Sequence, residues 1–155
     1  MLPHRPTRRA CLGLLSGLPL LGLARPAWAA SPEVFAMDGL AIGGTDPVAY
    51  FEQNAPVPGV SDFALMWRGA TWVFASADSM EAFEMNPDAY APQFGGYCAY
   101  ALAQGSLAAS VPEAWTIYQH RLYLNYSVAV RQHWQADIPG YLAQASAYWP
   151  AILNS

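Results

Sequence analysis

Residues 86–104 of the chain read Asn-Pro-Asp-Ala-Tyr-Ala-Pro-Gln-Phe-Gly-Gly-Tyr-Cys-Ala-Tyr-Ala-Leu-Ala-Gln. This stretch contains Cys98, and four aromatic residues lie close to it in sequence: Tyr90, Phe94, Tyr97 and Tyr100. Two prolines and a Gly-Gly pair shape the backbone before the cysteine, and a small apolar run over residues 98–103 follows it. The stretch therefore predicts a turn that leads into a short helix carrying a thiol among aromatic rings.

The first 29 residues have the pattern of a secretory signal peptide. A basic start with Arg5, Arg8 and Arg9 precedes an apolar run over residues 12–24, and Ala27-Trp28-Ala29 supplies the small residues of a cleavage site after Ala29. The adjacent pair of arginines favours twin-arginine export, although an ordinary secretory leader with two chance arginines stays open. The apolar run is shorter than the roughly 20 residues that a membrane span needs, and the chain has no second one of that length. We therefore expect a periplasmic location with no membrane span after cleavage.

Charge excludes two classes of partner. All seven basic residues are arginines and four precede Ala29, which leaves Arg68, Arg121 and Arg131. All eleven acidic residues follow Ala29, so residues 30–155 carry a net charge of 3 − 11 = −8. Such a chain is repelled by nucleic-acid phosphates and by anionic lipid. The one cysteine that follows the leader has no partner for an internal disulfide, so stability must come from an aromatic-rich core.

The order of local patterns predicts one α+β domain over residues 30–155, with a small antiparallel sheet built from hairpins and packed by short helices. Hairpin signals cover residues 63–67 with 71–74, and residues 115–118 with 122–126. Alternation should put Phe63, Leu65 and Trp67 on one face of their strand and Met66 on the other, and Met80 and Phe83 of the next helix should face the sheet. Helix signals follow Asp46, Ser76 or Asp78, Ser127 and Asp137, each of which can cap a helix N-terminus. The Cys98 helix is expected to end near Gly105.

Four segments occur in a set order: 43–51 (Gly-Gly-x-Asp-Pro-Val-Ala-Tyr-Phe), 72–76 (Trp-Val-Phe-Ala-Ser), 83–90 (Phe-x-x-Asn-Pro-x-x-Tyr) and 92–100 (Pro-Gln-Phe-Gly-Gly-Tyr-Cys-Ala-Tyr). Together they resemble the exported YHS domain proteins over most of residues 41–149. The resemblance implies a metal-binding domain that accompanies metalloproteins such as copper-exporting ATPases. The cysteine positions of short members are Ala49, Ala75 and Ser79 here, and neither alanine nor serine replaces a thiolate as a soft-metal ligand.

Cys98 leaves three interpretations open. It can be a buried structural residue, a ligand for a soft metal such as copper, or a reactive thiol activated by His120 or His133. Neither histidine stands at ligand spacing to Cys98, and His120 is expected to be solvated in a hairpin turn. His133, beside Trp134, favours a structural role.

The function expected from the sequence is a non-catalytic periplasmic YHS-type domain that binds copper through Cys98 or serves a metalloprotein as an accessory. One alternative is a small-ligand or protein-docking module lined by Tyr90, Phe94, Tyr97 and Tyr100. The other alternative is a thiol-dependent enzyme that uses Cys98. An enzyme is the less favoured class, because no catalytic motif appears.

Overall fold

A computed structural model describes residues 29–155 and shows an α+β fold. The strands are β1 Ala36–Met37, β2 Leu40–Ala41, β3 Val60–Trp67, β4 Ala70–Phe74, β5 Val111–Tyr118 and β6 Arg121–Asn125. The helices are α1 Ala49–Glu52, α2 Ala77–Met85, α3 Pro87–Tyr90, α4 Ala99–Ala103, α5 Val128–Gln135 and α6 Ile138–Tyr148. Short 3₁₀ turns cover Ile42–Gly44, Gln93–Gly96 and Ala151–Asn154.

The predicted leader lies outside the described residues apart from Ala29, so the signal-peptide, twin-arginine and periplasmic assignments stay predictions. Across residues 29–155, every helix is too short or too polar to cross a bilayer.

The larger sheet has the strand order β1-β2-β4-β3, and β3 and β4 form the first predicted hairpin. Side chains alternate along β3 as expected, with Phe63, Leu65 and Trp67 packed against the core and Met66 mostly exposed. The turn is one residue shorter than the three-residue spacing predicted, because Ala70 pairs with Trp67. Both turn residues, Arg68 and Gly69, have left-handed φ values of 48° and 75°, which match the twist of a two-residue hairpin.

Helix α2 closes the inner face of this sheet. It begins at Ser76, whose hydroxyl accepts a hydrogen bond from the Ser79 amide at 3.1 Å. Phe83 on this helix is fully buried, and its ring centroid lies 5.1–5.5 Å from the rings of Trp67, Trp72 and Phe74. The predicted packing of α2 on the hairpin is thus confirmed, and aromatic contacts make up the centre of the core.

The smaller sheet is the second predicted hairpin, β5 with β6. Its turn is also one residue shorter than predicted, since Arg121 pairs with Tyr118 and leaves Gln119 and His120 alone in the turn. Both turn residues have left-handed φ values, 48° and 61°, a conformation that costs a non-glycine residue roughly 1–2 kcal/mol. Helices α5 and α6 pack beside this hairpin and bury Trp134 completely.

Asp46 joins the first helix to the larger sheet. Its side chain is fully buried, and its Oδ1 accepts hydrogen bonds from the amides of Val48 at 2.9 Å and Ala49 at 3.4 Å. Its Oδ2 accepts one from the amide of Ala75 at 2.9 Å, immediately after β4. The sequence predicts that Asp46 caps α1, but the N-cap position of that helix is Val48 and has no side-chain cap. Asp46 instead binds the turn that leads into α1 and ties it to the end of the central hairpin.

Replacement of Asp46 by alanine should destabilise the fold by about 2–5 kcal/mol, because buried backbone amides would lose their acceptor. Equilibrium unfolding in urea measures the change. Asp62→Ala is the matched control, since Asp62 is exposed on β3, and it should stay within about 0.5 kcal/mol of wild type. Equal stability of the two variants would contradict the role given to Asp46.

Burial raises the pKa of Tyr50 well above its ordinary value of 10.0, and the Glu113 carboxylate adds to the effect, while a hydrogen bond with Thr45 opposes it. The hydroxyl donates to the carbonyl of Pro112 at 3.0 Å. Because the native state keeps this proton while the unfolded chain loses it, the free energy of unfolding should fall as the pH rises above about 10.

Tyr50→Phe should reduce that alkaline loss of stability, measured by urea unfolding at several pH values between neutral and strongly alkaline. Tyr148→Phe changes an exposed ring and should keep the wild-type dependence of the free energy of unfolding on pH. An unchanged slope in Tyr50→Phe would show that Tyr50 does not carry the effect.

Candidate functional site

Cys98 begins helix α4 and is 1% exposed. Its Sγ accepts a hydrogen bond from the Ala101 amide at 3.4 Å, and its thiol lies 3.6 Å from Oδ1 of Asn125. The same Oδ1 accepts the Tyr100 amide at 3.1 Å, and Asn125 is fully buried. Cys98 therefore acts as a helix cap joined to β6, which is the structural interpretation of the three given by the sequence.

Two features of the described residues bear on a metal site or a catalytic base at Cys98. Within residues 29–155, no group of three or more histidine, cysteine, aspartate or glutamate side chains could hold a metal ion. In the same range no hydrogen bond joins Cys98 to either histidine. His120 is exposed at a hairpin tip, and Nε2 of His133 lies 3.2 Å from the Tyr141 hydroxyl. Copper binding and thiol catalysis stay predictions that this geometry does not favour.

The three positions where the resemblance leads one to expect cysteines lie around Asp46 and α2. The amides of Ala49 and Ala75 both bind the Asp46 carboxylate, and the Ser79 side chain is buried in the first turn of α2. Ala49 and Ala75 are thus neighbours in space, although they are 26 residues apart in sequence. Both oxygens of Asp46 accept hydrogen bonds from backbone amides.

The four aromatic residues predicted to line one ligand site make mostly different contacts, although Phe94 and Tyr97 both pack against Trp149. Tyr90 packs edge-on against Phe51. Tyr97 is buried, and its hydroxyl donates to the Pro32 carbonyl at 2.8 Å. Tyr100 packs against His133 and Tyr141. Phe94 is the one of the four that lines a described cleft.

That cleft opens where the tips of both hairpins meet the chain segment before Cys98, and its volume is about 210 Å³. Three tryptophans and Phe94 are the aromatic residues that line the cleft, and two arginines also line it. The lining residues are Glu33, Val34, Trp67, Arg68, Trp72, Asp88, Ala91, Pro92, Gln93, Phe94, Gly95, Arg121 and Trp149.

The two arginines of the cleft are in different electrostatic environments. Arg68 pairs with Glu33 at 3.2 Å and with Asp88 at 3.1 Å, and its guanidinium lies 4.3 Å from the ring centroid of Trp67. Arg121 donates to the neutral amide oxygen of Gln93 at 3.1 Å. Among residues 29–155, no carboxylate lies within salt-bridge distance of Arg121.

Left-handed backbone occurs at or beside several residues of this cleft. Arg68 and Phe94 have φ values of 48° and 56°, and Arg121 directly follows the turn of Gln119 and His120. Gly95 is also left-handed, and a Cβ there would collide with the Glu33 carbonyl oxygen. At Arg68 and in the turn before Arg121 the left-handed backbone follows from the geometry of two-residue hairpins.

Sequence reasoning missed most of the cleft, since its residues come from six separate segments. One available signal was the scarcity of arginine, because two of the three arginines after Ala29 meet here. A scan against family models and searches of curated proteins and of solved structures each found no match to this chain. The resemblance to the exported YHS domain proteins therefore stays a prediction.

Because Cys98 is almost wholly buried, its thiol should react with Ellman's reagent only as fast as the protein unfolds. A Cys98→Ser/Gln144→Cys variant, whose thiol would sit on the exposed face of α6, should react in the native state. The measurement is the labelling rate at increasing urea concentrations. Rapid labelling of native Cys98 would contradict the structural role.

Proposed function

We propose that this protein is a non-catalytic periplasmic binding module that holds a small organic molecule in the cleft between its two hairpin tips. The observation that supports the proposal most strongly is the composition of the cleft. Three partly exposed aromatic rings, those of Trp67, Phe94 and Trp149, meet a surface that is more polar than apolar and carries two arginines. Small-molecule sites in proteins combine aromatic and apolar groups, which give affinity, with polar groups, which fix the orientation of the ligand. The periplasmic part of the proposal rests on the predicted leader.

The size of the cleft limits the ligand. Its volume of about 210 Å³ exceeds the ~150 Å³ of an apolar cavity that admits benzene, and it lies below the range typical of drug-sized ligands. A ligand of one ring with a short substituent fits. Trp67 and Trp72 stand edge to face with a centroid separation of 5.8 Å, so part of the wall is held in a fixed geometry.

Contacts within the fold fix the positions of the aromatic side chains that line the cleft. Trp72 donates its indole N–H to the Trp67 carbonyl at 3.0 Å, and Phe94 packs edge-on against Trp149 at 6.0 Å. Side chains already held in place lose little conformational freedom when a ligand binds, which favours affinity.

The proposal predicts that single-ring fragments, charged and neutral, will shift amide signals of residues 33–34, 67–72, 91–95 and 121 in protein-observed NMR titrations. Gln93→Trp places a large side chain at the cleft and should weaken this binding by about tenfold or more, because it occupies the ligand's space. Gln144→Trp makes the same substitution on the exposed face of α6 and should bind as wild type does.

The proposal fails if no fragment shifts these signals at millimolar concentration. It fails also if Gln93→Trp, shown to be folded by its spectrum, binds fragments as tightly as Gln144→Trp does.

A further inference from the structure

From the charges in the cleft, we infer that the ligand is a monoanionic carboxylate with an aromatic ring, and that Arg121 is the residue that binds its carboxylate. The inference rests on the proposed function and specifies its ligand.

Arg121 is the arginine of the cleft whose charge is not neutralised within residues 29–155. A guanidinium has five N–H donors in a planar fork that matches a carboxylate with two parallel hydrogen bonds. The described contact uses a donor of Nη1, on the neutral oxygen of Gln93. The remaining donors are free of side-chain acceptors in the described part of the chain, and the residue is exposed at the cleft.

Arg68 has a different role. Two carboxylates already bind it and its guanidinium lies over the Trp67 ring, so its charge is satisfied before any ligand arrives. An anion at Arg68 would meet the negative charges of Glu33 and Asp88. Arg68 therefore shapes the wall of the cleft, and Arg121 provides the attraction.

The same charges select a single negative charge over a double one. The four ionised side chains of the cleft sum to zero, with Arg68 and Arg121 against Glu33 and Asp88, in a chain whose net charge after Ala29 is −8. A carboxylate can pair with Arg121 and bring the net charge of the cleft and its ligand to −1. A phosphate monoester brings nearly two charges and is repelled more strongly by Glu33, Asp88 and the chain as a whole.

The aromatic part of the ligand follows from the walls. Trp67, Phe94 and Trp149 are partly exposed and offer ring surface, whereas Trp72 is almost wholly buried. A volume of about 210 Å³ has room for one ring with a short acidic side chain. A ring stacked or edge-on against these walls gains from the hydrophobic effect and from aromatic contacts. The carboxylate then lies at the rim beside Arg121.

Titrations of phenylacetate, phenylacetamide and phenyl phosphate test the inference at neutral pH, followed by protein-observed NMR on the chain after Ala29. The amide matches the acid in shape and lacks its charge. We expect phenylacetate to bind wild type about tenfold or more tightly than phenylacetamide, and more tightly than phenyl phosphate. Added salt should weaken the binding of phenylacetate and leave the affinity for phenylacetamide unchanged.

Arg121→Gln removes the charge and should bring phenylacetate to the affinity of phenylacetamide. Arg131→Gln is the matched control, because it removes the same charge outside the cleft, where Arg131 donates to the Glu113 carbonyl. It should keep the wild-type preference for the acid.

The outcomes separate the inference from the function on which it rests. If phenylacetamide binds the cleft as tightly as phenylacetate, or if Arg121→Gln keeps the preference for the acid, the inference is wrong and the proposed function stands. If phenyl phosphate binds most tightly, the choice of a carboxylate is wrong. If none of the three probes shifts the cleft signals and the fragment titrations also fail, the proposed function falls with it.

Discussion

The buried carboxylate of Asp46 is the interaction on which the larger sheet and the first helix both depend. Three backbone amides donate to it, two from the start of α1 and one from the end of β4. A charged group that is shielded from water is stable only when such donors surround it. The burial of Asp46 therefore requires that the end of β4 lie beside the start of α1. Because the β3–β4 hairpin is positioned in this way, its tip comes to rest at one side of the cleft.

The cleft itself is formed by turns, which explains its character. Two hairpin tips and the segment before Cys98 meet there, and each contributes left-handed backbone at or beside a lining residue. Turns lack the regular packing of strands and helices, so side chains such as Arg68 and Arg121 can converge on one space. The aromatic cores on either side hold these turns in place. Cys98, in contrast, is buried in a capping role and leaves the chemistry of the surface to other residues.

The predictable parts of this fold are those whose signal is local. The caps at Ser127 and Asp137 follow from patterns within a few residues, as do the two hairpins and the packing of Phe83, and the structure confirms them. Both turns were predicted one residue too long, because neither Arg68 nor Gln119 is a residue that usually adopts left-handed backbone. The pairing of residues across the two strands decided the length of each turn, and the preference of single residues for left-handed backbone did not.

The sequence by itself determined the α+β class, the acidic charge, the absence of an internal disulfide after Ala29 and the helix caps at Ser127 and Asp137, because each depends on composition or on short spacing. Only the tertiary structure decided which aromatic residues share a surface. The sequence places Tyr90, Phe94, Tyr97 and Tyr100 close together, yet of the four Phe94 alone lines the described cleft. Tyr90 packs against Phe51 and Tyr100 against Tyr141, because turns and a short helix separate them along the chain. Arg68 and Arg121 are 53 residues apart and line the same cleft, since contacts between distant segments depend on how the sheets and helices pack together.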